Sequence, residues 1–351
     1  MSALPTFSFH TTAEEVADVF ANEIRGKNVL VTGTSLNGLG FETARVLAKY
    51  ANLVIITGYN QERLKLSEYT IKKENPAVKI YPLTLDLSSF ASIRKAAAEV
   101  NALEGPLHSK WLSVQFQVLI HNAAAFGTSA SFTPTIDGVE TQYATNHVGP
   151  FLLSKLLAPK LLASATAGYT PRVVYLSSVA HGYGTGVDFD LLTNPKAEGY
   201  DAFKTYWATK STAPLMAIEL SKRSKGKINA FSLEPGRELF LSNSYFRLLT
   251  CETVIFTASM ENEVVSTIMK GTGALTPEGK PAEGLPWKTL AEGAATTVAA
   301  AFDTRLNDQA GAYLADSNVA NDKRAAHSSD PDDAERLWTV TEKIIGEKFT
   351  F

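Results

Sequence analysis

A tyrosine and a lysine four residues apart, in the run Tyr206-Trp207-Ala208-Thr209-Lys210, are the side chains whose spacing most directly implies chemistry. On a helix they share one face a turn apart, so an ammonium lies close to a phenol. A free phenol titrates at about 10, and bringing it to about 7 takes roughly 4 kcal/mol of differential stabilisation of the phenolate. A lysine one turn away, helped by a second cation, could supply that and turn Tyr206 into a general base. The same spacing also arises by chance on exposed helices, where it is only a solvated face, so its meaning depends on the rest of the chain.

A second candidate is the turn Gly33-Thr34-Ser35-Leu36-Asn37-Gly38-Leu39-Gly40. An apolar, β-branched run, Asn28 to Thr32, precedes it, and a helix with apolar Phe41, Ala44, Val46 and Leu47 follows. Glycines let the backbone approach a pyrophosphate, and the free amides and dipole of the helix N-terminus attract its charge. The strand-turn-helix context therefore predicts dinucleotide binding at Gly33, Ser35, Leu36, Gly38, Leu39 and Gly40.

The elements that must position these groups alternate. Asn52 to Thr57, Val78 to Leu85, Phe116 to Ile120, Arg172 to Leu176 and Lys227 to Leu233 read as further strands. Helical segments separate them, one beginning at Tyr206 and reaching about Lys222. This is the pattern of an α/β fold, a Rossmann-type doubly wound parallel sheet flanked by helices. Later segments predict a helix from Lys288 to Phe302, a last strand at Gly311 to Leu314 and a terminal helix from Pro331 to Ile345. Thr12-Ala13-Glu14-Glu15 has the form of a capping box and predicts a helix ahead of the main domain. We thus expect an N-terminal helical extension over 1–25 and one Rossmann-type domain over 26–351, with 237–286 as a substrate loop or lid.

Several residues at strand ends are candidates for ligand contact. Asp86 can accept from an adenine amino group while Leu87 covers the base, and capping the next helix is its structural alternative. Small residues at Asn122-Ala123-Ala124 would let a ribose lie against the backbone, with Asn122 tying strands together. Asn146 is a polar residue among apolar neighbours and needs a partner. No acidic residue occurs in Thr57-Gly58-Tyr59-Asn60-Gln61, where a carboxylate would select NAD, so NADP is the expected cofactor and NAD the alternative. Arg63 and Lys65 could meet a 2′-phosphate or simply face solvent. His121 and His147 lack ligand partners at metal-binding spacing, and no metal is expected.

Composition narrows the class. The 351 residues carry 33 Lys+Arg against 36 Asp+Glu without blocks of like charge, which gives no footprint for nucleic acid. The single cysteine, Cys251, fits a reducing, cytoplasmic setting. No secretory signal or membrane span is read from the sequence; the longest apolar stretch, Val148 to Ala165, is interrupted by Lys155, Pro159 and Lys160.

Taken together, Thr32-Gly33 with Gly38 and Gly40, Asp86, Asn122-Ala123, Asn146, Ser178, Tyr206 with Lys210, and Pro235-Gly236 resemble the short-chain dehydrogenase/reductase family over about residues 26–236. The flanks, including Trp287-Lys288-Thr289 and Ala334-Glu335-Arg336-Leu337-Trp338, look like its retinol-dehydrogenase-like branch, fungal members in particular. The resemblance implies an NADP(H)-dependent oxidoreductase that interconverts an apolar alcohol and its carbonyl. Tyr206 would exchange the proton, and Lys210 would lower its pKa and hold the nicotinamide ribose. Ser178 would bond the reacting oxygen, and Asn146 would hold a water in a relay toward Lys210. Pro235 and Gly236 would lie by the nicotinamide, with a small alcohol or carbonyl as substrate and a homodimer left open. Four departures stand out: one extra residue between Gly33 and Gly38, Ala124 for glycine, Tyr59 for arginine, and Phe240 for a threonine. Phe240 and the stretch from Arg237 to Leu275 motivate the rival reading of a non-catalytic dinucleotide-binding regulatory protein. An epimerase or dehydratase on the same fold is a third.

Overall fold

The computed structural model describes residues 4–103, 116–126, 131–242, 245–250, 270, 276–278, 282 and 284–351, and for 237–242 and 245–250 it describes the backbone. Its strands are β1 (Asn28–Val31), β2 (Leu53–Gly58), β3 (Ile80–Thr84), β4 (Val118–His121), β5 (Arg172–Leu176), β6 (Asn229–Leu233), β7 (Arg237–Ser242), β8 (Tyr245–Thr250), β9 (Tyr313–Ala315) and β10 (Asn318–Val319). The main sheet runs β10-β9-β6-β5-β4-β1-β2-β3, parallel throughout except for the β9-β10 pair. The chain order reverses between β1 and β4, and ligands of such sheets bind at the carboxyl ends of the strands beside that reversal.

Helices cover both faces, which is why the strands read as continuous apolar runs rather than alternating ones. Val29, Val31, Val54 and Ile56 enter one core, shared with α1 (Ala13–Val19), α2 (Ala21–Ile24), α3 (Leu39–Leu47) and α10 (Leu290–Phe302). Leu30, Ile55, Leu119 and Val173 enter the other, shared with α5 (Phe90–Ala102), α7 (Gly149–Leu162), α9 (Ala202–Arg223) and α11 (Pro331–Ile345). Each such side chain, fully buried, is worth about 1.5–3 kcal/mol. Pro82 cannot donate to a ladder, and it sits in β3, the edge strand. The remaining helices are α4 (Gln61–Glu74), α6 (Thr141–Tyr143) and α8 (Phe189–Thr193). No described helix is long and apolar enough to cross a membrane.

Four local features differ from the sequence expectation. Helix α9 starts at Ala202, a turn before Tyr206, because the Asp201 carboxylate accepts from the Phe203 and Lys204 amides at 2.9 and 3.1 Å. Helix α10 starts at Leu290, not Lys288, where Thr289 and Glu292 close a capping box. The segment holding Asn146 is not one regular helix: residues Ala144–Val148 form a π turn between α6 and α7. Over 237–242 and 245–250, where no element is predicted, the backbone of β7 pairs antiparallel with that of β8. Most of the expected lid over 237–286 lies outside the described residues.

Candidate active site

The glycine turn closes on the end of β4. Asn122 Nδ2 donates to the carbonyls of Thr32 and Gly33 at 2.9 and 3.0 Å, and Thr32 Oγ1 accepts from the amides of Asn122 and Ala123, both at 3.0 Å. The strand-tying role expected of Asn122 is thus present. Gly33 has φ +70°, and a β-carbon on it would come within 2.8 Å of Ala123 Cα. A β-carbon on Gly40 would collide with the Asn122 amide and the Gly33 carbonyl. The extra residue is absorbed by Asn37, left-handed at φ 64°, with the Gly38 amide donating to the Ser35 carbonyl at 3.1 Å. Gly38 is the N-cap of α3 and supplies no side-chain cap.

At the outer end of the crevice, Tyr59 is 70% exposed and Asn60 caps α4 by accepting from the Arg63 amide at 3.0 Å. Arg63 and Lys65 are exposed on the first turns of that helix. Asp86 does not cap α5; Ser89 does, accepting from the Ser92 amide. Asp86 instead uses Oδ1 on the amide and hydroxyl of Ser88, at 2.9 and 2.6 Å. Leu87 is buried, and its carbonyl lies where a side chain on Gly149 would stand, which fixes this loop against the start of α7.

The centre is built on α9. The Lys210 ammonium is buried, donates to the Leu176 carbonyl at 3.3 Å and stands 5.4 Å from the centre of the Tyr206 ring. The Tyr206 hydroxyl is buried without a hydrogen-bond partner among the described residues. Buried polar atoms are nearly always paired, so this hydroxyl has hydrogen-bonding capacity that the described residues leave unused. Phe126 packs its ring edge-on against Tyr206 at 4.6 Å and against Phe203 at 5.2 Å. Ser178 follows β5 and caps the 3-10 turn Val179–Gly182, its Oγ accepting from the Ala180 amide at 3.2 Å and retaining its own proton.

Two ties hold α9 in register. Pro214 has no amide proton, so the Lys210 carbonyl one turn before it cannot receive the usual helical bond. Ser177 Oγ donates to that carbonyl at 2.8 Å. On the other side, Asn146 Oδ1 accepts from the Ala125 amide at 2.6 Å, and its Nδ2 donates to Ala125 O at 2.8 Å and Thr209 Oγ1 at 2.9 Å. Neither Ser177 nor Thr209 is singled out by sequence reasoning, although a proline four residues after a candidate lysine is a signal that the lysine's carbonyl needs another donor.

Pro235-Gly236 ends β6, and Gly236 has φ +94°. A β-carbon there would meet the stem of buried Lys288, whose ammonium pairs with Asp316 at 2.7 Å. The side chain of Phe240 lies outside the described residues; its backbone pairs with Arg247 of β8. His121 and His147 each place Nε2 at 2.7 Å from a hydroxyl, of Ser154 and Thr341. Burial pushes both imidazoles down to about 3. Among the described residues no cluster of His, Cys, Asp and Glu could hold a metal ion.

The geometry has relatives. A family model described as short chain dehydrogenase matches residues 27–187. The chain is similar to short-chain dehydrogenase TIC 32 A, chloroplastic, of Brassica napus, at 30% identity over 95% of this chain and 93% of that protein. It is also similar to short-chain dehydrogenase/reductase prx1 of Penicillium rubens, at 31% identity over 92% and 86% of the two chains. Among solved structures, the Pseudomonas aeruginosa RhlG/NADP active-site complex shares the fold at a TM-score of 0.56 and 23% identity, over 83% of this chain and 94% of that one.

Proposed function

The chain belongs to the short-chain dehydrogenase/reductase family of NAD(P)-dependent oxidoreductases acting on CH-OH donors, and on that premise we propose that it interconverts an apolar alcohol and its carbonyl with NADP(H), Tyr206 exchanging the proton. The observation that carries this is the Tyr206 hydroxyl, buried without a hydrogen-bond partner among the described residues beside a buried ammonium.

The residues fit a dinucleotide. Gly33, Ser35, Leu36, Gly38, Leu39 and Gly40 would receive the pyrophosphate, with Asp86 Oδ2 and Leu87 at the adenine and Asn122-Ala123 at the adenosine side. Lys210 would meet the nicotinamide ribose and Pro235-Gly236 the ring. When bound, the nicotinamide gives or takes the hydride. Lys210 lowers the cost of negative charge on the Tyr206 oxygen, since its ammonium is shielded from water by burial. Ser178 donates its remaining proton to the substrate oxygen, and Tyr206 takes or returns the proton of that oxygen. The side chain of Asn146 is committed to Ala125 and Thr209, so a water relay toward Lys210 would use its main-chain carbonyl in the π turn. Phe126 and Phe203 form an apolar wall at the phenol, which favours an apolar substrate.

The choice of NADP rests on the lack of a carboxylate over 57–61, the first being Glu62, with Arg63 and Lys65 as candidate contacts beyond it. A titration with NADPH and NADH followed by a panel of apolar alcohols and carbonyls tests the reading. Tyr206→Phe should keep cofactor affinity and lose turnover by about a hundredfold or more; unchanged turnover would sink the mechanism.

A further inference from the structure

Among the described residues three histidines are buried near the sheet, and His181 is held differently from the other two. His121 and His147 each use one ring nitrogen on a hydroxyl and leave Nδ1 without a partner among the described residues. His181 uses both nitrogens on main-chain groups of fixed polarity. Its Nδ1 is 2.6 Å from the Ser178 carbonyl, which can only accept, so Nδ1 carries the proton. Its Nε2 is 3.2 Å from the Ala325 amide, which can only donate, so Nε2 carries the lone pair. The two bonds admit one species, the neutral Nδ1-H tautomer.

The main chain of the same residue is also held. The His181 carbonyl accepts from His327 Nε2 at 2.7 Å and from Ser211 Oγ at 3.3 Å, and Ser211 is the residue after Lys210. His181 is 2% exposed and joins the loop after β5, helix α9 and the segment around Ala325.

We infer that His181 is a positioning residue for Ser178, holding the serine's carbonyl with Nδ1-H while Ala325 fixes the ring, and that it does so only as the neutral Nδ1-H tautomer. This rests on the proposed role of Ser178 in the reaction. A second proton would set an Nε2-H against the Ala325 N-H and break the anchor. The charged and titratable groups that face the ring are Tyr313, at 3.5 Å from Nδ1 and bonded in turn to Glu234 at 3.3 Å, and on the other side Arg324 and His327. Burial first, and then His327 and Arg324, oppose that proton, while the bond to Ser178 favours it.

Three variants separate positioning from packing. His181→Asn keeps a donor at the δ position, His181→Gln keeps only an acceptor at the ε position, and His181→Leu keeps neither. For the full chain with NADPH and a panel substrate, kcat should stay within about threefold of wild type in the Asn variant. It should fall about tenfold or more in Gln and Leu, with KM and cofactor affinity unchanged. The acid limb of kcat that comes from His181 should be missing in His181→Asn. Equal kcat in all three variants, whether intact or impaired, overturns the inference. Nitrogen-15 spectra of the wild-type imidazoles give a readout that needs neither a variant nor turnover: a neutral Nδ1-H species at His181 is expected, and an Nε2-H species overturns the proposal. If wild type turns over nothing on the panel, the reading of Ser178 falls. The spectra, with a crystal structure of His181→Leu in which Ser178 should have moved, still decide what His181 holds.

Discussion

Ser177 donates its hydroxyl to the carbonyl of Lys210 at 2.8 Å, in the place where Pro214 leaves that carbonyl without its helical donor. The bond ties the end of β5 to the helix that carries Tyr206 and Lys210, next to Ser178. A proline in a helix costs about 3 kcal/mol when nothing compensates it. Here the compensation comes from the strand that the helix must be aligned with.

Removing that donor should therefore destabilise the fold and disturb the site together. Ser177→Ala is expected to cost about 1–3 kcal/mol by urea unfolding, with a loss of kcat in parallel. Pro214→Ala returns an amide to the helix, so Ser177→Ala should cost less in that background. A double-mutant cycle in which the two effects simply add would refute the compensation.

Gly40 has no room for a methyl group, because it would run into the Asn122 amide and the Gly33 carbonyl. Gly40→Ala should lower stability by about 1–3 kcal/mol and weaken dinucleotide binding more than it weakens the fold. Thermal melts with and without NADPH separate the two. An unchanged shift on adding NADPH would show that the turn is not the pyrophosphate site.

Placing a carboxylate after β2 should reverse cofactor preference. Tyr59 is 70% exposed, so Tyr59→Asp can be made without disturbing the core. NADPH binding should weaken by about tenfold and NADH binding should hold or improve, as repulsion of the 2′-phosphate requires. Fluorescence titrations that leave the ratio unmoved would argue against the adenosine end lying there.

Acid should destabilise the protein through His121 and His147. In the unfolded chain both would take protons at about 6.5, whereas burial holds them neutral in the fold down to about 3. Between these values the unfolded state binds more protons, so stability is full above 6.5 and is lost as pH falls toward 3. The slope is about 1.4 kcal/mol per pH unit for each histidine. Urea midpoints at neutral and mildly acidic pH check this, and His147→Gln should remove its own share of the loss, leaving the shares of His121 and of His181, whose pKa burial also lowers.

Much of this was legible in the sequence because the relevant forces are local. The strands show as β-branched runs since both faces of the sheet are covered, and Asn122 and Tyr206 with Lys210 sit in recognisable strand-end and helical spacings. The π turn at Ala144–Val148 was not legible, since a change of one residue in hydrogen-bond span leaves no pattern of residue types. The start of α9 is not legible because its cap, Asp201, lies in a polar loop that offers several equivalent acceptors. Ser89 rather than Asp86 caps α5 for a related reason: Asp86 finds a nearer partner in Ser88. The longer glycine turn could be counted in advance, but only the left-handed Asn37 shows how the extra residue is taken up.

The packing of α1 against α10 sets an order on how the chain can fold during synthesis. Val16, Phe20 and Ile24 emerge early, and they share one core with Ala295, Val298 and Phe302, which emerge far later. Until then the early helices face a sheet surface only partly covered, and the covering contact must be made across most of the chain length. Contacts of that separation form slowly, and the apolar surface that awaits them is what chaperones and proteases read in the interval.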